Sequence, residues 1–160
     1  MAVSEVTSVQ NSHRVVVGVD GSPASLQALQ WALGYASATN SLVDVVVAWE
    51  WPTSLAWSAP FPSDYDPDMN AQQMLDDLIE HQRAEHPNLV IDGRVVEGDP
   101  ATVLESASNG AALLVVAQRG HGELVGLLLG SVSEHCVTHA HCPVLVYRDD
   151  PLSASSQPSS

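Results

Sequence analysis

The chain has 160 residues, enough for one domain with a substantial core, and 45% of them are hydrophobic. Its 19 acidic residues face five arginines and no lysine, and the net charge of −14 argues against nucleic-acid binding, which requires cationic neutralisation of phosphates. The same charge repels anionic ligands at long range, so any site for a polyanion such as a nucleotide would need a divalent cation.

Strand and helix signals alternate from the first apolar run onward. A β-branched run predicts a strand over residues 14–19, and Ser22-Pro23 predicts an N-cap followed by the first helical residue. Residues at helical spacing define the buried stripe of this helix: Leu26, Leu29, Leu33 and Ala36. A second strand is predicted over residues 42–49.

The second half of the pattern follows a long connection, residues 50–65. Asp66-Pro67 and Asp99-Pro100 repeat the cap-then-proline signal and predict two more helices. The inward residues of these helices are expected to be Met74, Leu75, Leu78, Ile79, Val103, Leu104 and Ala107. Strands are predicted over residues 89–97, 111–117 and 144–147, with a fourth helix before the last strand.

This alternation, with mostly continuous apolar strands, favours a single-domain α/β three-layer sandwich: a parallel sheet with helices on both faces. We expect a flexible N-terminus over residues 1–12, the domain over 13–148 and a disordered Ser/Pro-rich tail over 149–160. The apolar runs are too short to span a bilayer, and no signal peptide is visible. Two cysteines without framework spacing favour a reducing compartment, by default the cytoplasm.

The strongest functional signal is the glycine-rich loop after the fourth strand. It runs through Gln118-Arg119-Gly120-His121-Gly122 and Gly126 to Gly130-Ser131, and Ser131 with Glu134 forms the S-x-x-E pattern of a helix cap. Backbone amides and a helix N-terminus that meet at the carboxyl edge of a sheet favour phosphate. The alternative is a loop that needs glycines only for positive φ angles and close packing. It is not a P-loop, because the chain has no lysine.

These residues resemble universal stress proteins of the adenine-nucleotide-binding kind, over about residues 14–148. The family motif is glycine, two residues, glycine, nine residues, glycine, then serine or threonine; Gly120, Gly130 and Ser131 match it, whereas Ala117 replaces the first glycine. Further similarity lies in Val17-Gly18-Val19-Asp20-Gly21-Ser22, Glu97-Gly98-Asp99-Pro100 and Cys142-Pro143-Val144-Leu145-Val146.

The resemblance implies strand order 3-2-1-4-5 and an ATP site with Mg²⁺ or Mn²⁺, in which Asp20 lies beside the nucleotide and its metal. The implied binding residues are Gly18, Val19, Asp20, Ala48, Val116, Ala117, Arg119, Gly120, His121, Gly122, Gly130, Ser131 and Val132. The methyl group of Ala117 is expected to weaken ATP binding by about 1–3 kcal/mol if the site has no spare room.

The resemblance also implies a homodimer formed through the last strand, at Val144, Leu145, Val146 and Tyr147. A stress-response or regulatory role follows, with no catalytic residues and at most slow ATP hydrolysis, because no nucleophile–base pair is evident. The alternative is a universal stress protein that binds no nucleotide and acts through protein contacts. A nucleotidyl transferase on a related fold is disfavoured by the absence of lysine.

Several of these residues have structural interpretations that remain open. Asp20 follows a strand and can equally hydrogen-bond neighbouring backbone in a turn. The cluster from His135 to Cys142 can be a metal site through His135 and His139, or solvated histidines near a helix C-terminus, with Cys136 in the core. The aromatics of residues 49–65 can cover the base, form a partner surface or belong to a partly ordered connection: Trp49, Trp51, Trp57, Phe61 and Tyr65.

Overall fold

The computed structural model describes residues 13–50, 66–118 and 129–148. Its strands are β1 (Arg14–Gly18), β2 (Leu42–Trp49), β3 (Ile91–Glu97), β4 (Leu113–Ala117) and β5 (Val144–Tyr147). Its helices are α1 (Pro23–Thr39), α2 (Pro67–Glu85), α3 (Pro100–Ala107) and α4 (Ser131–His139).

The five strands form one parallel sheet in the order β3-β2-β1-β4-β5, which confirms the expected order. Successive side chains of a strand point to opposite faces of the sheet. Val15 and Val17 therefore join the larger core cluster, beneath α1 and α2, while Val16 joins the smaller cluster, beneath α3 and α4. The result is the predicted three-layer sandwich.

Three of the four predicted helix starts are confirmed. The side chains of Ser22, Asp66 and Asp99 each accept a hydrogen bond from the backbone N–H three residues later, and a proline follows each cap. The caps Ser22 and Asp99 follow the ends of β1 and β3 within a few residues, so α1 and α3 start at the carboxyl edge of the sheet, where the candidate site lies.

One predicted core residue is wrong. Leu26 is 36% exposed, whereas Leu29, Leu33 and Ala36 are fully buried as expected. The buried stripe of α1 is completed by small residues, Ser25, Ala28 and Ala32, so the helix packs closely on the sheet along a line that leaves Leu26 to one side.

Some sequence-based expectations lie outside the described residues. They include the flexible N-terminus over 1–12, the disordered tail over 149–160, four of the loop aromatics and part of the glycine loop, namely Trp51, Trp57, Phe61, Tyr65, Arg119, Gly120, His121, Gly122 and Gly126. Within the described ranges, no helix is both long and apolar enough to cross a membrane.

Candidate functional site

A cavity of about 200 Å³ opens at the carboxyl ends of β1, β2 and β4. It lies mainly on the side of the sheet covered by α3 and α4, and the first turns of both helices contribute to its wall. Eight of the predicted site residues line it: Gly18, Val19, Asp20, Ala48, Val116, Ala117, Gly130 and Val132. The sequence argument missed the other lining residues, Ser25, Val46, Pro100, Leu104 and Ser133.

Gly18 sets the distance between the end of β1 and α3. A Cβ atom built on Gly18 would lie 2.7 Å from Cδ1 of Leu104, closer than real Cβ contacts. Glycine therefore allows the Leu104 side chain to lie directly against the backbone of β1 and form an apolar wall of the cavity, and a larger residue would make Leu104 shift. The sequence marked Leu104 as a core residue, but its position over Gly18 depends on how α3 crosses the sheet.

Asp20 lies at the mouth of the cavity and also forms a turn. Its Oδ1 accepts a hydrogen bond from the Ser22 backbone N–H (2.9 Å), and its own backbone N–H donates to Ser25 Oγ (3.3 Å). The turn role considered from the sequence is thus present. It fixes the carboxylate of Asp20 at the edge of the cavity rather than excluding it from contact with a ligand.

The start of α4 differs from the sequence-based expectation. Gly130, not Ser131, is the N-cap; Ser131 is the first helical residue, and no side chain caps this end. The helix begins one residue earlier than expected: its first hydrogen bond runs from the Glu134 N–H to the Gly130 carbonyl at 2.9 Å, and the Gly130 N–H donates to the Gln118 carbonyl at 2.8 Å. The capping box of Ser131 and Glu134 is therefore wrong, although the helix N-terminus opens on the cavity as expected.

Ala117 occupies the position where the family motif has its first glycine. Its backbone lies at the end of β4 in the cavity lining, but its side chain packs against the larger core cluster. Val116, the preceding residue, faces the smaller cluster on the cavity side. Alternation along β4 thus directs the methyl group of Ala117 away from the face that carries most of the cavity.

The charge of the described lining is low. Among the described lining residues, Asp20 is the one with a charged side chain, and histidine, cysteine and lysine do not occur. Two of the arginines are committed elsewhere, because Arg14 and Arg94 both bind Asp44 at distances of 2.9 and 3.1 Å. An apolar wall beside a helix N-terminus suits a ligand with an apolar ring at one end and an anion at the other.

The histidine cluster is partly solvated, as one of the two interpretations expected, because His139 and His141 are exposed near the C-terminus of α4; His135 instead pairs with a carboxylate. His135 Nε2 lies 2.7 Å from Glu105 Oε2 on α3, and the rings of His135 and His139 stack with centroids 4.3 Å apart. The hydrogen bond with His135 lowers the pKa of Glu105, and the charges of the neighbouring histidines act in the same direction. Within the described ranges, no group of three or more histidine, cysteine or acidic residues is placed to hold a metal ion.

Cys136 is a core residue, as expected from its position on α4. It is fully buried, and burial raises the pKa of its thiol to about 11, with the negative charge of Glu105 adding to the effect. The Cys142 thiol is half-buried and its pKa is also raised by burial. Both cysteines are free thiols.

A model of the universal stress protein family matches residues 11–148 of the chain. The chain belongs to the universal stress protein family. It is 36% identical over 143 residues to the universal stress protein Rv2623 of Mycobacterium tuberculosis, a match covering 84% of this chain and 45% of that protein. The chain therefore spans about half the length of the curated relatives it matches.

Solved structures of universal stress proteins share this fold. The UspA protein of Lactobacillus plantarum superposes with a TM-score of 0.69 at 20% identity, covering 86% of this chain and 98% of that one. A universal stress protein in complex with cAMP superposes with a TM-score of 0.60 at 28% identity, covering 84% and 96%.

Proposed function

We propose that this universal stress protein binds an adenine nucleotide, ATP with Mg²⁺ or Mn²⁺, in the cavity at the carboxyl edge of its sheet. The observation that carries the proposal is the cavity itself, where the ends of β1, β2 and β4 meet the N-terminus of α4. In open α/β sheets, ligands bind outside the carboxyl ends of the strands, at the point where strand order reverses. β1 lies between β2 and β4 at that point.

The two parts of a nucleotide match two parts of the cavity. The base and ribose would lie against Gly18, Ala48, Val116 and the Leu104 side chain, whereas the phosphates would lie at the start of α4. The amides and dipole of a helix N-terminus favour negative charge. A universal stress protein that is 28% identical to this chain has been solved with cAMP, which supports an adenine nucleotide as the ligand class.

The proposed divalent cation is needed because both the ligand and the protein are negatively charged. ATP is strongly anionic, the chain carries a net charge of −14, and Asp20 places a carboxylate at the cavity mouth. A carboxylate oxygen is a suitable ligand for Mg²⁺ or Mn²⁺. Asp20 would hold the cation together with the phosphates, and the cation would neutralise charge that the described lining does not.

The proposed protein is a nucleotide-responsive regulator rather than an efficient enzyme. Among the described lining residues, Asp20 is the sole side chain with an ionisable group that can act as a base. General acid–base catalysis requires such a group within hydrogen-bond reach of the attacking water, whereas in this proposal the Asp20 carboxylate holds the cation and accepts from Ser22. ATP hydrolysis is therefore expected to be slow, if it occurs. A stress-response role in the cytoplasm agrees with two free thiols.

Calorimetric titration of the full chain with ATP, with and without Mg²⁺, tests this proposal. The informative variant is Gly130→Leu, which adds a side chain at the buried start of α4. Gly34→Leu is the matched control, because a Cβ on Gly34 in α1 has no atom within 4 Å. We expect saturable, Mg²⁺-dependent binding that Gly130→Leu abolishes and Gly34→Leu preserves, with circular dichroism confirming that both variants fold.

The absence of wild-type binding at millimolar ATP would overturn the proposal and favour the alternative, a protein that acts through partner contacts without a nucleotide. Binding that Gly130→Leu leaves intact would place the nucleotide elsewhere on the chain.

We also propose that two copies of the chain pair through β5. This strand is an edge of the described sheet, and its four side chains, Val144 to Tyr147, are all only half-buried. The carbonyls of Pro143 and Tyr147 accept from Leu114 and Gln118, so the backbone groups of Val144 and Val146 point to the open edge. An uncovered apolar edge invites pairing with a second strand.

Val146→Pro tests this dimer, because it removes an N–H that points outward while leaving the ladder with β4 in place. Light scattering after size-exclusion chromatography is expected to give a dimer for the wild type and a monomer for the variant. A wild-type monomer at high micromolar concentration contradicts the proposal.

A further inference from the structure

A buried hydroxyl in the first turn of α4 joins this helix to the end of β4. Ser133 is 3% exposed, and its Oγ lies 2.7 Å from the Gln118 carbonyl oxygen and 3.1 Å from that of Gly130. The single hydroxyl proton is thus shared between two acceptors, with the shorter contact to Gln118. Gln118 is the residue directly after β4, so this contact crosses from helix to sheet over fifteen positions of sequence.

The Gln118 carbonyl is the centre of a small network. It also accepts from the Gly130 N–H at 2.8 Å, and the Gln118 N–H donates to the Tyr147 carbonyl at 2.8 Å. One carbonyl with two lone pairs therefore holds both the N-cap of α4 and the third residue of the helix. The network connects β5, β4 and the start of α4 through hydrogen bonds alone.

We propose that Ser133 is a positioning residue for phosphate recognition: its hydroxyl fixes the first turn of α4 against the end of β4. The inference rests on the proposed nucleotide site, in which the phosphates lie at this turn. Electrostatic attraction between amides and an anion depends on distance, and a helix start that is fixed before the ligand arrives loses little freedom on binding. Ser133 acts through the helix backbone and need not touch the ligand.

The proposed role of Ser133 concerns the phosphate end of the ligand and not the end with the base. Ser133 orders the phosphate end of the cavity, whereas Gly18, Ala48 and Val116 at the strand ends do not depend on its hydroxyl. Loss of the hydroxyl should therefore weaken ATP binding and leave adenosine binding nearly unchanged. A residue with a merely structural role would affect both ligands equally.

Ser133→Thr and Ser133→Val form the matched pair for the test, because threonine and valine have nearly the same shape and only threonine keeps the hydroxyl. Titration with Mg²⁺–ATP and with adenosine is compared for both variants. We expect Ser133→Val to bind ATP roughly 3- to 10-fold more weakly than Ser133→Thr, the effect of one net hydrogen bond, with adenosine affinities equal within about twofold. Amide exchange at Gly130 is expected to be faster in Ser133→Val.

The results of these titrations distinguish failure of the positioning role of Ser133 from failure of the proposed nucleotide binding. Wild-type protein that binds neither ATP nor adenosine overturns both. Wild-type protein that binds ATP, with equal ATP affinities in the two variants or with parallel losses for ATP and adenosine, overturns the positioning role alone. Where the larger side chains prevent folding, Ser133→Ala against the wild type gives the same comparison without added volume.

Discussion

The smaller core cluster, beneath α3 and α4, is bordered by charged side chains toward the amino end of the sheet and by small residues at its carboxyl end. Near the amino end of the sheet, Asp44, the third residue of β2, binds Arg14 and Arg94. The Arg14 guanidinium also donates to the carbonyls of Ala107, the last residue of α3, and Asn109, which follows it. At the carboxyl end, the corresponding positions of β1 and β2 are Gly18 and Ala48, and a cavity remains.

Helix α3 connects these ends, since Pro100 and Leu104 line the cavity and the Ala107 carbonyl accepts from Arg14. The comparison indicates that long charged side chains close one end by binding one another, while small residues leave the other end available to a ligand. Stability and binding should therefore respond to substitutions at different ends.

The largest effect is expected at the closed end. Asp44→Ala removes a carboxylate that is 10% exposed and leaves the largely buried guanidinium of Arg14 without its charged partner, whereas Arg94 is 47% exposed; the free energy of unfolding should fall by about 2–4 kcal/mol. Urea denaturation measures this change. Asp92→Ala is the control, because Asp92 is 66% exposed and lies 3.7 Å from Arg83, and should cost about 0–1 kcal/mol. Similar losses in both variants would contradict the distinction between the two ends.

A second prediction concerns the open end. Gly18→Ala places a methyl group against Leu104 and pushes that side chain toward the cavity, so the free energy of unfolding should fall by about 1–3 kcal/mol. ATP affinity should fall about tenfold, the same order of free energy expressed as binding. In a Leu104→Ala background the methyl group meets no Cδ atoms, and the same substitution should have little effect on either measurement.

This double-mutant cycle isolates the contact between β1 and α3. Additive effects in the two backgrounds would show that Gly18 is required for a reason other than the approach of Leu104.

A third prediction concerns the contact between Glu105 on α3 and His135 on α4. The pKa of Glu105 is lowered in the folded state by its hydrogen bond with His135, so its contribution to stability is complete above the ordinary carboxyl range. It is lost as the pH falls through the lowered pKa. The difference in Tm between wild type and Glu105→Gln should therefore be constant between about pH 5 and pH 6, below the range in which histidines ordinarily lose their charge, and shrink below about pH 4. A difference that persists unchanged at pH 2.5 would contradict the role of this ion pair.

The smallest effect is expected at Ala117. The sequence suggests that its methyl group costs binding energy, but the side chain packs into the opposite cluster. Ala117→Gly should therefore change ATP affinity by less than about twofold, and should destabilise the strand by about 0.5–1 kcal/mol. A gain of tenfold or more in ATP affinity would show that the methyl group does obstruct the ligand.

Local chemistry made most of the fold predictable. Ser22, Asp66 and Asp99, each followed by proline, specified three helix starts, and alternating strands and helices specified the parallel sheet. The error at Ser131 has a clear cause: its capping pattern is correct in composition, but the hydrogen bond from Gly130 to Gln118 fixes the chain one residue earlier. That contact joins residues twelve positions apart and leaves no local pattern in the sequence.

The parts of the candidate site that are formed by backbone were predictable from the sequence, and the parts formed by side chains were less so. The glycine loop indicated Gly130 and the family resemblance indicated Gly18 and Asp20, whereas the places of Leu104 and Ser133 in the cavity wall depend on how the helices cross the sheet. Asp44 is visible as a lone acid in an apolar strand, but its two arginine partners come from neighbouring strands and require the register of the sheet. Periodicity assigns a residue to a face and does not identify its partner on that face.

The buried thiol of Cys136 offers a way to observe α4 in solution. A thiolate is the reactive form, and a fully buried group with a pKa of about 11 is inert at neutral pH unless the helix separates from the sheet. In a Cys142→Ala background, the rate of alkylation at Cys136 therefore measures how frequently α4 separates from the sheet. A nucleotide bound at the first turn of this helix should slow the alkylation.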